Sequence, residues 1–184
     1  MRVISGRFKG QRLKTPTWEG LRPTSDKLRE TLFNILAPHV PGARVLDGYA
    51  GTGAIGIEAL SRGAAHVTFI EKNRRAVALI EENLKACGVE GGYTIRCAEL
   101  VAALDVLPAA DAFDLILLDP PYDIEHVRVV LDAAARRLAG NGLVVLERAT
   151  RREPGEPAAL QRTRDVKSGD STLTFYSLQE GGPC

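Results

Sequence analysis

The sequence lacks the features that mark secreted, membrane-bound or metal-binding proteins. Its three cysteines among 184 residues are odd in number and have no metal-ligand spacing, which predicts reduced thiols and no metal site. No apolar h-region stands near the start, and no run of about 18 apolar residues occurs, so we expect a cytoplasmic protein without membrane contact. No low-complexity or repeated segment divides the chain, and 45% of it is hydrophobic. We therefore expect residues 1–184 to form one domain with a substantial core.

Aromatic residues are scarce, and the net charge is only +1, so neither property predicts a nucleic-acid partner by itself. The distribution of charge is more informative. Within residues 1–30, Lys and Arg outnumber Asp and Glu by eight to three, so this segment carries +5 and the remainder −4. Gly6–Gly10 lies between short apolar stretches and predicts a hairpin whose tip contacts phosphates, with Phe8 and Trp18 as stacking candidates; the alternative is a solvated surface hairpin. The basic tip consists of Arg7, Lys9 and Arg12.

A strand, a glycine turn and a helix follow one another in the first half of the chain. The strand Arg44–Asp47 ends in an acid, and Gly51, Gly53 and Gly56 form the G-x-G-x-x-G pattern typical of dinucleotide sites. A carboxylate at Asp47 is poorly placed against a pyrophosphate but well placed for an amino-acid ammonium. S-adenosylmethionine has an ammonium and no phosphate, so the pattern favours it over a nicotinamide dinucleotide. The glycines let the backbone approach such a ligand closely.

Two more acids follow predicted strands. The strand Val67–Ile70 ends in Glu71, twenty residues after the first glycine of the turn, where an acid accepts from the hydroxyls of a ribose. The alternative makes Glu71 a surface acid that pairs with Lys72. The strand Tyr93–Cys97 leads to Glu99, which is a candidate either for the exocyclic amine of adenine or for a helix N-terminus.

The tetrapeptide Asp119-Pro120-Pro121-Tyr122 closes an apolar run and is the most specific signal in the chain. Each proline restrains the residue before it to extended backbone, so the segment cannot form a helix. The Asp119 carboxylate and the Pro120 carbonyl then offer two adjacent acceptors, and the Tyr122 ring can stack on a flat group. This arrangement predicts a site for a planar base that carries an amino group. The alternative is that the prolines only end a strand and that Tyr122 packs on the core.

Together these elements predict an α/β fold, namely a Rossmann-like, doubly wound, mostly parallel sheet with helices on both faces. Residues 41–184 form this core, and residues 1–40 add the hairpin and a helix that begins at Thr24 or Ser25. Ligands in such sheets bind at the carboxyl ends of the strands, where the acids described above all fall. The other predicted elements are the helix Arg74–Cys87, the strands Leu115–Asp119 and Leu143–Glu147, and a closing antiparallel hairpin of Leu160–Lys167 with Leu173–Leu178.

Three parts of the chain are more specific than the glycine pattern: Arg2–Gly6 with Leu21–Leu36, then Val45–Ala64, then Leu118–Tyr122. They lie between residues 2 and 122 and resemble the RsmD family of class I S-adenosylmethionine-dependent methyltransferases. The resemblance implies methylation of the N2 amine of a guanine in 16S ribosomal RNA, with S-adenosylhomocysteine as the second product. It also implies that the partner is 16S rRNA or a small-subunit assembly intermediate, and that the protein is a monomer.

The resemblance assigns individual roles. The implied catalytic residues are Asp119, Pro120 and Tyr122. The implied cofactor-binding residues are Arg22, Thr24, Asp47, Gly51, Thr52, Gly53, Glu71 and Glu99. The implied RNA-binding residues are the basic tip and Pro121. Two positions depart from the family: Gly48 replaces a bulky apolar residue, which we expect to enlarge the pocket, and Glu99 replaces Asp or Asn. A DNA adenine or cytosine amino-methyltransferase and a non-catalytic RNA-binding module on the same fold are the alternatives.

Overall fold

The computed structural model describes residues 1–18, 25–108, 110–121 and 127–179. Its strands are β1 Arg44–Gly48, β2 His66–Glu71, β3 Tyr93–Cys97, β4 Phe113–Leu118, β5 Leu138–Ala149, β6 Leu160–Ser168 and β7 Ser171–Leu178. Its helices are α1 Asp26–Ile35, α2 Ala54–Ser61, α3 Arg74–Ala86, α4 Leu100–Asp105 and α5 Val127–Ala135. The strands form one seven-stranded sheet in the order β3-β2-β1-β4-β5-β7-β6. The predicted α/β fold is confirmed.

The first five strands run parallel, and the central ones are apolar because helices cover both faces of the sheet. Side chains alternate between the two faces. Val45 and Leu115 pack with α1, α2 and α3, whereas Leu46 and Ile116 pack with α4 and α5. The chain crosses from β3 back to β4, so the strand order reverses between β1 and β4. A crevice for a ligand is expected at that switch point, outside the carboxyl ends of the strands.

The closing hairpin is confirmed, but its position in the sheet was not predicted. β7 pairs antiparallel with β5, and β6 pairs antiparallel with β7 at the outer edge. β7 is largely buried, whereas β6 is largely exposed and rich in charge, as suits an edge strand. β5 begins at Leu138, five residues before the predicted start, and its register with β4 shifts between Phe113 and Leu115.

The N-terminal segment forms the predicted hairpin, although only one residue pair, Arg2 with Arg12, makes a ladder bridge. The hairpin packs on α2. The Glu58 carboxylate, which is fully buried, accepts from the backbone N–H groups of Ile4 (2.7 Å) and Ser5 (3.0 Å). Gly6 has φ +82°, and a Cβ there would lie 1.9 Å from the Ser61 carbonyl oxygen, so this contact requires glycine.

Helix α1 begins where the sequence predicted. The Ser25 hydroxyl accepts from the Leu28 N–H (3.2 Å) and is the N-cap, whereas the other candidate, Thr24, lies outside the described residues. Of the helices in the described ranges, none is long and apolar enough to span a membrane.

Candidate active site

A cavity of about 450 Å³ opens at the carboxyl ends of β1, β2 and β4, where the strand order reverses. The glycine turn, the residues after β2, the start of α4 and the end of β4 form its walls. Its charged lining residues, within the part of the chain that the structure describes, are four acids and one base: Glu71, Glu99, Asp119, Glu147 and Lys72. Such a wall repels a pyrophosphate and attracts a ligand with net positive charge.

The glycine turn connects β1 to α2 through left-handed backbone. Gly51 and Gly53 have φ values of +56° and +75°, which glycine adopts without strain. Gly56 has a different role from the other two. A Cβ there would lie 2.2 Å from the Phe69 ring, so this glycine lets α2 pack against β2 rather than contacting a ligand. Gly51 and Thr52 line the cavity, whereas Gly53 forms the N-cap position of α2.

Tyr49 is a feature of the turn that the sequence analysis missed. It has φ +67°, an uncommon conformation for a bulky side chain, and it lines the cavity. Its hydroxyl is buried and has no hydrogen-bond partner among the described residues. Burial, with a smaller contribution from Glu99, raises the pKa of this hydroxyl to about 12. Tyr49 therefore stays neutral at physiological pH. An aromatic residue within a glycine turn is the signal that could have identified it.

Gly48 does not enlarge the cavity, and that expectation is wrong. A Cβ at this position would lie 2.9 Å from a methyl of Leu118 and 3.1 Å from a methyl of Leu100. Neighbouring leucines thus occupy the space that a bulky residue would fill.

Glu71 is part of the cavity wall and is only 8% exposed, so the surface-acid alternative is wrong. Both of its oxygens are oriented by backbone N–H groups. The Gly51 N–H donates to Oε2 (3.0 Å), and the Asn73 N–H donates to Oε1 (2.8 Å). The carboxylate therefore fixes the glycine turn and also presents an acceptor to the cavity.

Asp47 lies beneath the turn rather than on the cavity wall. It is 1% exposed, and its Oδ2 accepts from the Gly56 N–H (2.8 Å) in the first turn of α2. Burial, which is the largest effect, raises the pKa of Asp47 to about 7; the Gly56 bond opposes this rise, and the charges of Asp119 and Glu71 contribute to it. Its direct contact with a ligand ammonium stays a prediction.

Glu99 takes the second of its two predicted roles. Its Oε2 accepts from the Val101 N–H (2.9 Å) and the Ala102 N–H (3.4 Å), which makes it the N-cap of α4. Because it also lines the cavity, the first role, contact with an adenine amine, stays a prediction.

The segment Asp119-Pro120-Pro121 follows β4 directly. Asp119, Pro120 and Pro121 all line the cavity, with Pro120 buried and Pro121 exposed. Ser25 and Leu28 of the α1 region line it as well, so the start of α1 approaches this motif. Three of the residues assigned by resemblance lie outside the described residues: Arg22, Thr24 and Tyr122.

The basic tip lies on the surface and is far in sequence from Asp119-Pro120-Pro121. Arg7, Lys9 and Arg12 are all exposed, and their contact with phosphates stays a prediction. The two stacking candidates already have other partners. Phe8 packs against the core, with the Arg7 guanidinium 5.3 Å from its centroid, and Arg75 lies 4.5 Å from the centroid of Trp18. In the described ranges, no group of three or more His, Cys, Asp or Glu residues could hold a metal ion.

Comparison with known proteins identifies the family. The model of the family described as "Conserved hypothetical protein 95", the RsmD family, matches residues 1–177. The chain belongs to this family. It is 39% identical over 158 residues to the ribosomal RNA small subunit methyltransferase D of Haemophilus influenzae, covering 80% of this chain and 78% of that protein. It is 33% identical over 189 residues to the protein of the same name from Escherichia coli K12, covering 99% and 92%.

Two solved structures share the fold over 84% and 97% of this chain. The yhhF structure from Escherichia coli aligns with a TM-score of 0.84 at 32% identity, covering 97% of this chain and 98% of that one. A conserved hypothetical protein from Streptococcus pyogenes aligns with a TM-score of 0.74 at 35% identity, covering 84% and 98%. The expected family and fold are thereby confirmed, whereas the roles of individual residues stay predictions.

Proposed function

We propose that this protein transfers the methyl group of S-adenosylmethionine to the exocyclic N2 amine of a guanine in 16S rRNA. Its membership in the RsmD family supports rRNA methyl transfer. The observation that carries the proposal is one cavity in which the glycine turn faces the Asp119-Pro120-Pro121 wall. A donor held by the turn and an amine held by the wall would meet inside that cavity.

The residues of the cavity fit an adenosyl ligand with net positive charge. S-adenosylmethionine supplies an electrophilic methyl group when it is bound, and its sulfonium and ammonium suit the acidic wall. Glu71 offers an oriented acceptor for ribose hydroxyls. An NAD(P)-dependent oxidoreductase is disfavoured, because its pyrophosphate would face four carboxylates, with Lys72 the only base among the described lining residues.

The chemistry required of the protein follows from the target amine. The N2 lone pair is delocalised into the guanine ring, so the nitrogen is a poor nucleophile until it becomes more tetrahedral. Asp119 and the Pro120 carbonyl accept hydrogen bonds from its two N–H groups, which aligns the lone pair for in-line displacement and stabilises the developing positive charge. Tyr122 would stack on the guanine after it is turned out of its loop. Breakdown of the product cation needs only loss of one proton, to Asp119 or to water.

The test is transfer of a labelled methyl group to 16S rRNA, or to small subunits, from a strain that lacks the modification. We expect label at one guanine. Mapping of the labelled base separates this function from that of a DNA adenine or cytosine amino-methyltransferase. RNA binding without any transfer would instead favour the non-catalytic module. We also propose, from the family and the sequence, a cytoplasmic monomer that acts on 16S rRNA or an assembly intermediate.

A further inference from the structure

Glu147 lies next to Asp119 at the carboxyl ends of neighbouring strands. β4 and β5 run parallel with Leu118 opposite Leu146, so the residues that follow each of them stand at the same level of the sheet. Both carboxylates line the cavity. The sequence marks Glu147 only as the end of a strand, whereas the register makes it the direct neighbour of Asp119.

Glu147 also borders a second cavity of about 480 Å³, which shares Pro120 and Pro121 with the first. The residue is 8% exposed, and the Ser171 hydroxyl donates to its Oε1 (3.1 Å). A buried, oriented acid thus stands where the two cavities meet, beside the wall that is proposed to hold the target amine.

The walls of the second cavity are held in place by Arg148. Its Nη1 donates to the Arg152 carbonyl (2.7 Å), and its Nη2 pairs with Asp165 (3.0 Å), which fixes the loop after β5. Arg128 and Arg152 supply positive charge at the rim, together with the acidic Glu153. A rim of this kind suits the phosphates that flank a base inside the cavity.

We propose that Glu147 accepts the ring N1–H of the target guanine while Asp119 and Pro120 hold its N2 amine. The inference rests on the proposed function and extends it to base selection. Guanine has an N–H next to its exocyclic amine, whereas adenine and cytosine have a bare acceptor nitrogen there, which a carboxylate repels. Asp119-Pro120-Pro121 alone accepts from any of these amines. The second carboxylate therefore supplies the preference for guanine.

The experiment compares two RNAs that differ at the methylated position only, one with guanine and one with 2-aminopurine. The analogue keeps the 2-amine but has no N1–H. In single-turnover methyl transfer, we expect the wild-type protein to favour guanine by at least about tenfold. Glu147→Gln should lower the rate with guanine by about tenfold or more. It should keep or raise the rate with 2-aminopurine, because the glutamine amide donates to the bare N1. The ratio of the rates with guanine and with 2-aminopurine should therefore fall towards one.

Two further variants make the result specific. Glu156→Gln changes the same charge at an exposed site in the loop before β6 and should keep the wild-type preference. Glu147→Asp retains the carboxylate and should keep a preference for guanine at a lower rate. An unchanged preference in Glu147→Gln, or an equal fall with both RNAs, would overturn the inference. Absence of transfer to any guanine by the wild-type protein would overturn the proposed function itself, which is a different result.

Discussion

Replacement of Glu71 by glutamine should weaken cofactor binding without unfolding the protein. The two oxygens of Glu71 accept from the Gly51 and Asn73 N–H groups at 3.0 and 2.8 Å. A glutamine amide has one oxygen only, so its NH2 group must face one of these N–H donors. The variant therefore loses one charge-assisted bond, which costs about 1.5–3 kcal/mol of stability.

The same change removes a charged acceptor from the cavity wall. If ribose hydroxyls donate to this carboxylate, the loss of these hydrogen bonds costs about 1.5–3 kcal/mol of binding free energy. This corresponds to a rise in Kd of roughly 10- to 150-fold. Isothermal titration with S-adenosylhomocysteine measures the Kd, and urea unfolding of the same samples measures the stability. Glu81→Gln, at an exposed site on α3, is the matched control and should leave both quantities within error.

The reasoning is refuted if Glu71→Gln stays folded and its Kd rises less than about threefold. In that case the carboxylate only shapes the turn, and ribose recognition belongs to another group. A loss of affinity that partial unfolding accounts for in full would refute it equally, which is why the two measurements are made on the same samples.

Three other changes test the remaining roles. Asp119→Ala should keep S-adenosylhomocysteine affinity but lower single-turnover methyl transfer by about 100-fold or more, and a near-normal rate would show that the role is misassigned. Alanine at all three positions of the basic tip should raise the KM for RNA and leave the saturated rate and the cofactor affinity unchanged. It should also reduce the slope of log binding constant against log salt concentration by about two. An unaltered RNA affinity and an unaltered slope would favour the solvated-hairpin alternative. Asn83 is buried and hydrogen-bonds the Lys14 N–H and carbonyl and the Thr52 carbonyl. Asn83→Ala should therefore lower the free energy of unfolding in urea by about 2–4 kcal/mol, whereas the exposed Asn34→Ala should change it by less than about 0.5 kcal/mol. A change below 1 kcal/mol at Asn83 would contradict the reading of its hydrogen bonds.

The central strands and the functional edge of the sheet were predictable from the sequence. The central parallel strands β1, β2, β4 and β5 each contain an apolar run followed by a polar or glycine-rich segment, and the carboxyl ends of such strands meet at one edge. The acids at those ends therefore converge by topology alone. Glu71 and Asp119 are placed on the cavity wall as this argument requires.

Side-chain partners were not predictable in the same way. Asp47 and Glu71 both end strands that face the same crevice, yet one is covered by the first turn of α2 and the other lines the cavity. The difference depends on how far the glycine turn folds over each residue, which sequence spacing does not encode. Glu147 was missed for a related reason. Its position beside Asp119 depends on the register between β4 and β5. That register shifts between Phe113 and Leu115, and no local sequence pattern predicts the shift.

The N-terminal segment shows the same limit most clearly, because its position depends on contacts between residues far apart in the chain. Asn83 is fully buried and bonds in two directions: its Oδ1 accepts from the Lys14 N–H (2.7 Å), and its Nδ2 donates to the Lys14 carbonyl (3.2 Å) and the Thr52 carbonyl (2.9 Å). One amide thus joins the N-terminal segment to the glycine turn. α2 adds a second connection, since its first turn bonds Asp47 while Glu58 holds the hairpin. The basic tip is therefore fixed relative to the cavity by buried hydrogen bonds, so phosphates bound at the tip would have a defined position relative to the Asp119-Pro120-Pro121 wall.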